Sequence, residues 1–260
     1  MKLNKLFLTL FVGIAIVITG CGGGGDDTAS SSSSSPEPAA AEPAAPIGSA
    51  VISGTISFDG EVPAARRVRL DSDCSALHEG NVMADNIVVT DGKLANVFIH
   101  VKEGLGDRTF TPPAEPVVFD QVGCMYTPHV FGVMVGQNVK ILNSDPFLHN
   151  INAQAESNRP FNFGMPKQGD ERERSFRVPE VMVKIKCDVH PWMGAYAGVV
   201  AHPFFATSSA DGSFSIEGLP AGDYVLEAWH EEFGTQTMNV TVADGGSATA
   251  DMSFSAGSAD

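Results

Sequence analysis

The strongest constraint on this chain is its pattern of short alternating apolar segments separated by turn dipeptides. Val51–Phe58 alternates apolar and polar residues and runs into the turn Asp59-Gly60, and a second strand pattern runs into Asp91-Gly92. Alternation with a period of two, ended by Asp-Gly turns, is typical of antiparallel strands. No long segment has the 3.6-residue period of an amphipathic helix, so the chain is predicted to be all-β, a sandwich or barrel.

The remaining strands follow from the same pattern, and the chain from Gly48 onward is long enough for one large or two small β domains. Further strands are predicted at residues 86–90, 96–101, 116–119, 130–135, 139–142, 175–178 and 181–185.

The N-terminus determines the expected compartment. Lys2 and Lys5 precede an apolar run over residues 6–18, which is followed by Gly20-Cys21. This resembles a bacterial lipoprotein signal peptide over residues 1–20, with Cys21 as the acylated residue after cleavage. The alternative is an ordinary secretory signal with an incidental cysteine.

The resemblance to a lipoprotein implies an extracytoplasmic protein anchored by lipid to a bacterial membrane, on the periplasmic side or at the cell surface. Gly22, where an aspartate would resemble an inner-membrane retention signal, favours the outer membrane. Residues 21–47 are rich in Gly, Ser and Pro and are predicted to be a disordered linker.

The charge of the chain limits its partners. After removal of the signal peptide, 14 basic and 31 acidic residues remain, a formal charge of −17. So acidic a surface excludes nucleic acid as an expected partner and steers a basic soluble protein toward it. The alternative is that the acidity only keeps a secreted protein soluble.

Two short segments near the centre carry a set of soft and borderline metal donors. His149 lies in the first segment, residues 143–150, and Cys187, His190 and Met193 lie together in the second, residues 186–193. Two imidazoles, a thiolate and a weak thioether are the donors of a blue, type 1 copper centre. Four protein ligands leave no open position for a substrate, so we predict an electron carrier and not an enzyme.

The cysteine count agrees with this assignment. If Cys21 carries lipid and Cys187 binds metal, Cys74 and Cys124 remain as one pair. Two spare thiols in an oxidising compartment most often form a disulfide, which is therefore predicted between them.

The region from about residue 128 to residue 200 resembles the cupredoxin family, and its Cys-x-x-His-x-x-Met loop resembles that of amicyanin. The resemblance implies that His149, Cys187 and His190 are the strong ligands of one copper ion and that Met193 is the weak axial ligand. Two asparagines match the same pattern, one bracing both ligand loops by hydrogen bonds and one directly after the first histidine: Asn143 and Asn150. It also implies that the edge of His190 lies near solvent within an apolar patch for docking: Pro146, Phe147, Pro191 and Trp192. The alternative is that Phe147 and Trp192 only shield the metal.

The C-terminal part resembles a different β module. Asp211-Gly212, the Leu219-Pro220 turn and Tyr224 resemble the carboxypeptidase regulatory-like, transthyretin-like sandwich over about residues 202–256. The predicted division is therefore a cupredoxin-like Greek-key copper domain with an N-terminal β extension at 48–200, and a regulatory-like sandwich at 201–260. A nested arrangement stays open, because residues 51–58 and 96–101 resemble the opening strands of the second module.

These features together predict a membrane-anchored type 1 copper protein. It would carry single electrons between redox proteins such as a basic cytochrome c and a dehydrogenase. Two alternatives remain: a lipoprotein that stores or delivers copper, and a surface module that binds protein or glycan and has a vestigial metal site. His129, close to Cys124, could join a second metal site, but a structural hydrogen-bonding role is favoured, and His230 is predicted to have no metal role.

Overall fold

The computed structural model describes residues 47–257, and within them the chain is all-β, as predicted. The predicted signal peptide at 1–20, the lipidation site Cys21 and nearly all of the linker lie outside the described residues. Within residues 47–257 no helix is long and apolar enough to cross a membrane.

The strands fall into three successive parts of the chain. The first part contains β1 (Ala50–Asp59), the single helical turn α1 (Ser72–Ser75), β2 (Val89–Thr90), β3 (Lys93–Leu94) and β4 (Phe98–Glu103). The middle part contains β5 (Val117–Val122), β6 (Met125–Thr127), β7 (Val130–Met134), β8 (Val139–Asn143), β9 (His149–Gln154), β10 (Phe161–Met165), β11 (Asp170–Arg174), β12 (Glu180–Lys186) and β13 (Gly194–Val200). The last part contains β14 (Phe205–Thr207), β15 (Ser213–Leu219), β16 (Gly222–His230), β17 (Gly234–Val242), β18 (Ser247–Thr249) and β19 (Met252–Ser255).

The middle part forms a complete inner sandwich. One of its sheets has the strand order β10-β9-β12-β13-β7, and the other has the order β11-β8-β5-β6. A separate apolar cluster fills the space between these sheets, with Phe119, Ile141, Ile151 and Val183 among its fully buried members. The alternating burial of β8 reflects the period-two pattern by which this strand was predicted.

The first and last parts combine into an outer sandwich around this insertion. β1 pairs with β15, β18 and β19, while β4 pairs with β14 and β16. A second apolar cluster, which includes Ile52, Ile99, Leu226 and Phe254, lies between these sheets. The strand pairing therefore follows the nested alternative and differs from the sequential division at residue 200.

A small junction cluster joins the two sandwiches. Phe98 of β4 is buried against Val130 and Val200 of the inner sandwich. Its ring lies so close to β13 that a Cβ on Gly198 would come within 2.3 Å of it. Glycine at this position allows the aromatic ring to pack directly on the strand backbone.

Residues 66–84, here called the cap, lie between β1 and β2 and close on themselves at their base. The Val68 amide donates to the Val82 carbonyl at 2.9 Å, and the Ala84 amide donates to the Arg66 carbonyl at 2.8 Å. The predicted disulfide between Cys74 of the cap and Cys124 is present and ties the cap to the inner sandwich.

Two expectations about strands are wrong. Residues 175–178 form no strand, although Phe176 is buried in the inner core. The segment 86–90 contributes only the two-residue strand β2.

Candidate metal centre

Two strand ends bring the candidate ligands together. His149 is the first residue of β9, and Cys187 directly follows the last residue of β12. These two strands are hydrogen-bonded neighbours, with Lys186 opposite Asn152, so both side chains emerge at the same end of the sheet. The loop after β12 then turns back and carries His190 and Met193.

The second ligand loop is a tight hydrogen-bonded turn. The Met193 amide donates to the His190 carbonyl at 3.0 Å, and the Cys187 amide donates to the Met193 carbonyl at 3.2 Å. The His190 amide donates to the Cys187 sulfur at 3.3 Å. These bonds fix the spacing of the loop and hold three of the four predicted ligands on one turn.

Three donor atoms converge at the centre. Nδ1 of His149 lies 2.9 Å from Nδ1 of His190, and the sulfur of Cys187 lies 3.8 Å from Nδ1 of His190. One donor atom from each of the three residues lies within 4.8 Å of the others. All four predicted ligand residues are enclosed, with exposed fractions of 0% for His149, 2% for Cys187, 5% for His190 and 1% for Met193.

Carboxylates lie beside both imidazoles. Nε2 of His149 lies 2.9 Å from the buried Asp145 carboxylate, and Nε2 of His190 lies 3.5 Å from the Asp71 carboxylate of the cap. A carboxylate can only accept, so Nε2 of His149 donates to Asp145, and this bond orients its Nδ1 toward the other donors. Two Nδ1 atoms and a sulfur therefore face one another in a dry interior.

The types of donor and their spacing can be compared with those of a metal site. Metal–nitrogen bonds of about 2.0 Å and metal–sulfur bonds of about 2.3 Å, at angles between tetrahedral and trigonal, separate two nitrogens by about 3.3–3.5 Å and nitrogen from sulfur by about 3.5–3.7 Å. The measured nitrogen–sulfur separation of 3.8 Å is close to this range, while the nitrogen–nitrogen separation of 2.9 Å is shorter than in such a site. By donor type the residues fit a copper ion, for which imidazole and thiolate are suitable ligands.

The electrostatic environment favours a thiolate at Cys187. Burial raises the pKa of this thiol, but hydrogen bonds from His149 and from the backbone amides around the sulfur outweigh burial, and the pKa lies below its ordinary value. For His149, burial lowers the pKa, but the hydrogen bonds to Cys187 and Asp145 outweigh it and the net shift is upward. Burial and the neighbouring His149 lower the pKa of His190.

The two asparagines have different roles. Asn143 donates to the carbonyls of Phe147 and Met165, both at 2.9 Å, and accepts from the Asp145 amide at 3.1 Å. Within the described part of the chain its side chain makes no hydrogen bond to the second ligand loop, so the predicted bracing of both loops is wrong for this residue.

Asn150 makes that connection between the ligand loops. Its side-chain oxygen accepts from the backbone amide of Asp188, the residue after Cys187. Because Asn150 directly follows His149, one side chain links the two ligand-bearing segments.

The expected exposure of the His190 edge is wrong. The cap covers it, because the Asp71 carboxylate and the Cys74–Cys124 disulfide lie against this imidazole. Leu70 also packs on the inner core, and the imidazole of His78 contacts the Gly123 carbonyl at 2.8 Å.

The four residues predicted as a docking patch lie on the surface beside the covered histidine. Pro146 and Pro191 are exposed, while Phe147 and Trp192 are half-buried. The Trp192 ring lies 5.1 Å from the His190 ring, and its indole N–H donates to the Cys124 carbonyl at 3.0 Å.

Sequence reasoning missed Asp71 and Asp145. Asp145 also accepts from the amides of Gly123 at 2.8 Å and Cys124 at 2.7 Å, so it joins the first ligand loop to the disulfide. The sequence feature that could have indicated Asp145 is its position four residues before His149. Asp71 caps a single helical turn far upstream and had no local signal.

His129 and His230 are hydrogen-bonded and belong to no group of potential metal donors among residues 47–257. Nδ1 of His129 lies 3.3 Å from the Asp85 carboxylate, and its Nε2 contacts the Glu231 carboxylate. His230 accepts from the Glu232 amide at 3.2 Å. His129 thus sits between two carboxylates of the outer sandwich, at the boundary of the inner one.

Comparisons with known proteins cover parts of the chain. The carboxypeptidase regulatory-like domain family matches residues 195–255, which agrees with the resemblance seen in the C-terminal sequence. The match begins in β13 and leaves out β1 to β4 of the outer sandwich. A search of curated proteins finds no match.

Several solved copper proteins are similar to part of the structure. A Cu-containing nitrite reductase from Thermus scotoductus SA-01 is 24% identical over 36% of this chain and 24% of its own, with a TM-score of 0.31. A purple cupredoxin from Nitrosopumilus maritimus is 23% identical over 32% of this chain and 98% of its own, with a TM-score of 0.27. A Cu(I) amicyanin variant is 19% identical over 39% of this chain and 97% of its own, with a TM-score of 0.30. Scores near 0.3 are too low to support a function.

Proposed function

We propose that this protein is an extracytoplasmic, lipid-anchored carrier of single electrons that binds one type 1 copper ion through His149, Cys187, His190 and Met193. The observation that carries the proposal is the convergence of two imidazole nitrogens and a thiol sulfur in an enclosed space. Copper bound there would supply a one-electron couple between Cu(I) and Cu(II).

The chain's own residues account for the remaining requirements of an electron carrier. The Asp145 carboxylate orients the His149 imidazole, the Asp71 carboxylate lies against His190, and Asn150 connects the two ligand segments. A site so constrained keeps similar geometry in both oxidation states, which limits the rearrangement that accompanies electron transfer. Four protein ligands would leave no open position on the ion for a substrate, so we propose no enzymatic activity.

The proposed partner is a soluble redox protein with a basic surface, such as a cytochrome c, or a dehydrogenase. The acidic chain would attract a basic partner, and the patch of Pro146, Phe147, Pro191 and Trp192 would provide a small apolar contact. Since the cap covers the His190 edge, we propose that the half-buried Trp192 ring, 5.1 Å from His190, is the aromatic group that a docked partner would approach.

The test is copper loading of the full-length protein. We expect one tightly bound copper per chain, an intense visible band from the thiolate–Cu(II) bond and loss of this band on reduction. Cys187→Ser should abolish the band, while His129→Gln that is folded by circular dichroism should retain it, because His129 lies outside the centre.

The outcomes also separate the alternatives. If bound copper passes to a chelator faster than an electron passes to a cytochrome c, the protein handles copper and is not an electron carrier. If no stoichiometric copper binds, the proposal is refuted and a protein- or glycan-binding module becomes the better description.

A further inference from the structure

We propose that Cys74, Cys124 and His190 form a second, transient copper site, which opens when the disulfide is reduced and through which Cu(I) reaches the buried centre. The inference rests on the proposed function, because it assumes that His190 is a copper ligand. One donor atom from each of the three residues lies within 4.8 Å of the others. Both sulfurs are fully buried, and His190 is nearly so.

The enclosure of the main centre creates the need for such a site. Its ligands are almost inaccessible, so a metal ion can enter only if part of the surrounding structure moves. The disulfide is next to both imidazoles, since Cys124 also lies within 4.8 Å of Asp145 and His149 as a possible donor group. The cap lies against the same edge through Asp71 and Cys74.

The cap is the part of this enclosure that can be released. Cys74 lies on α1, a helix of four residues whose other members are exposed. Cys124, by contrast, is held by a buried hydrogen bond from its amide to Asp145. Once the sulfur–sulfur bond is broken, the contacts that hold the cap include the packing of Leu70 and Cys74, the His78 contact and the Asp71–His190 contact, none of which is covalent.

The chemistry needs an external dithiol, which we name as a thioredoxin-like reductant outside the cytoplasm. It transfers two electrons and two protons to the disulfide, which becomes two thiols, while the dithiol becomes a disulfide. The two thiols lose their protons on binding Cu(I), and the His190 imidazole is the third donor. Two thiolates and an imidazole suit Cu(I), which stays Cu(I) throughout.

Transfer to the main centre is then an exchange of ligands around the shared His190. The two sulfurs of the transient site give way to Cys187 and His149, whose donor atoms lie within 4.8 Å of that of His190. An oxidising protein disulfide accepts the two electrons and two protons of the thiols and re-forms the bond between Cys74 and Cys124. The re-formed disulfide closes the cap over the loaded centre.

The first experiment counts Cu(I) in the full-length Cys187→Ser protein, which lacks the main thiolate but keeps the disulfide. Cu(I) is supplied as its complex with bathocuproine disulfonate, a coloured competing chelator. We expect the dithiol-reduced protein to take one equivalent of Cu(I) and the disulfide form to take none. Equal copper binding in the two redox states would overturn the proposal.

A second variant distinguishes a Cu(I) site with three defined ligands from the thiols of an unfolded chain. In reduced Cys187→Ser protein, the additional change His190→Ala should weaken Cu(I) binding roughly tenfold or more, since it removes a ligand and not only an outer partner. Thiols of an unfolded chain would bind equally well without the imidazole, so an unchanged affinity would also overturn the proposal.

The third experiment measures the rate at which the otherwise unaltered protein takes up Cu(I). The reduced protein should load faster than the disulfide form, and the double variant Cys74→Ser/Cys124→Ser should load slowly, because its cap is free but its thiols are absent. If the double variant loads as fast as the reduced protein, opening of the cap alone is sufficient and the thiol site is wrong. Failure of the proposed function looks different, because then the disulfide form binds no copper at any time.

Discussion

Replacement of His129 should remove two ion pairs that connect the two sandwiches. The Asp85 and Glu231 carboxylates, which belong to the outer sandwich, face the two nitrogens of this buried imidazole. Burial lowers its pKa, but the hydrogen bonds and charges of the two carboxylates outweigh burial and raise the pKa of His129 to about 10. The protonated imidazole therefore stabilises the folded state at neutral pH.

The magnitude follows from linkage. The pKa is 6.5 in the unfolded chain and about 10 in the folded one, and this difference corresponds to about 5 kcal/mol at 1.36 kcal/mol per pH unit. Because the folded pKa is raised, this stabilisation is complete below pH 6.5 and is lost as the pH rises toward 10. Loss of one member of a buried ion pair costs about 3–5 kcal/mol, so His129→Gln should destabilise the protein by a similar amount near pH 6.

The assay is unfolding by denaturant between pH 6 and pH 9, with the disulfide intact. The free energy of unfolding of the wild type should fall relative to His129→Gln by about 3 kcal/mol over this range. Groups that titrate in both proteins, such as Cys187, cancel in the difference. The control His78→Gln removes an imidazole that contacts the Gly123 carbonyl and leaves the ion pairs of His129 in place. Parallel stability curves for the wild type and His129→Gln would refute the reasoning.

Three further changes test other parts of the structure. Cys187→Ser should remove the thiolate–copper band while the circular dichroism of the sheets stays unchanged. Asn143→Ala removes three buried hydrogen bonds and should cost about 3 kcal/mol in denaturant unfolding, whereas the exposed Asn138→Ala should change stability by less than about 0.5 kcal/mol. Gly198→Ala places a Cβ against an aromatic ring and should cost about 1–3 kcal/mol, while Gly194→Ala, which meets no atom within 4 Å, is the matched control. Equal unfolding midpoints within either pair would contradict the packing described.

The fold was predictable where one strand face is buried. β8 alternates in burial because one of its faces lies on the inner core, whereas β7 is apolar throughout because Val130 packs in the junction cluster and Phe131 in the inner core. β11 was missed because Asp170–Arg174 contains no apolar residue, and as an edge strand paired only with β8 it needs none. Residues 175–178 were mistaken for a strand because their apolar residues suggest a buried face.

The ligand residues were predictable from their spacing, but their surroundings were not. His149, Cys187 and His190 lie close together as expected. The cover over His190 comes from Asp71 and the cap, more than a hundred residues away in sequence and without a local pattern. Only the disulfide indicated it, because pairing Cys74 with Cys124 draws that segment toward the ligand loops.

The place of the insertion has a consequence for how the chain could be divided. β4 ends at Glu103 and β14 begins at Phe205, and these two strands are antiparallel neighbours in one outer sheet. The chain therefore leaves the outer sheet at the end of β4 and returns to it at the adjacent start of β14. The inner sandwich takes the place that a turn would have in a hairpin of these two strands. A short turn between the two strands would leave the outer sheet order intact, and the inner sandwich could equally be exchanged for another domain whose termini lie one strand spacing apart.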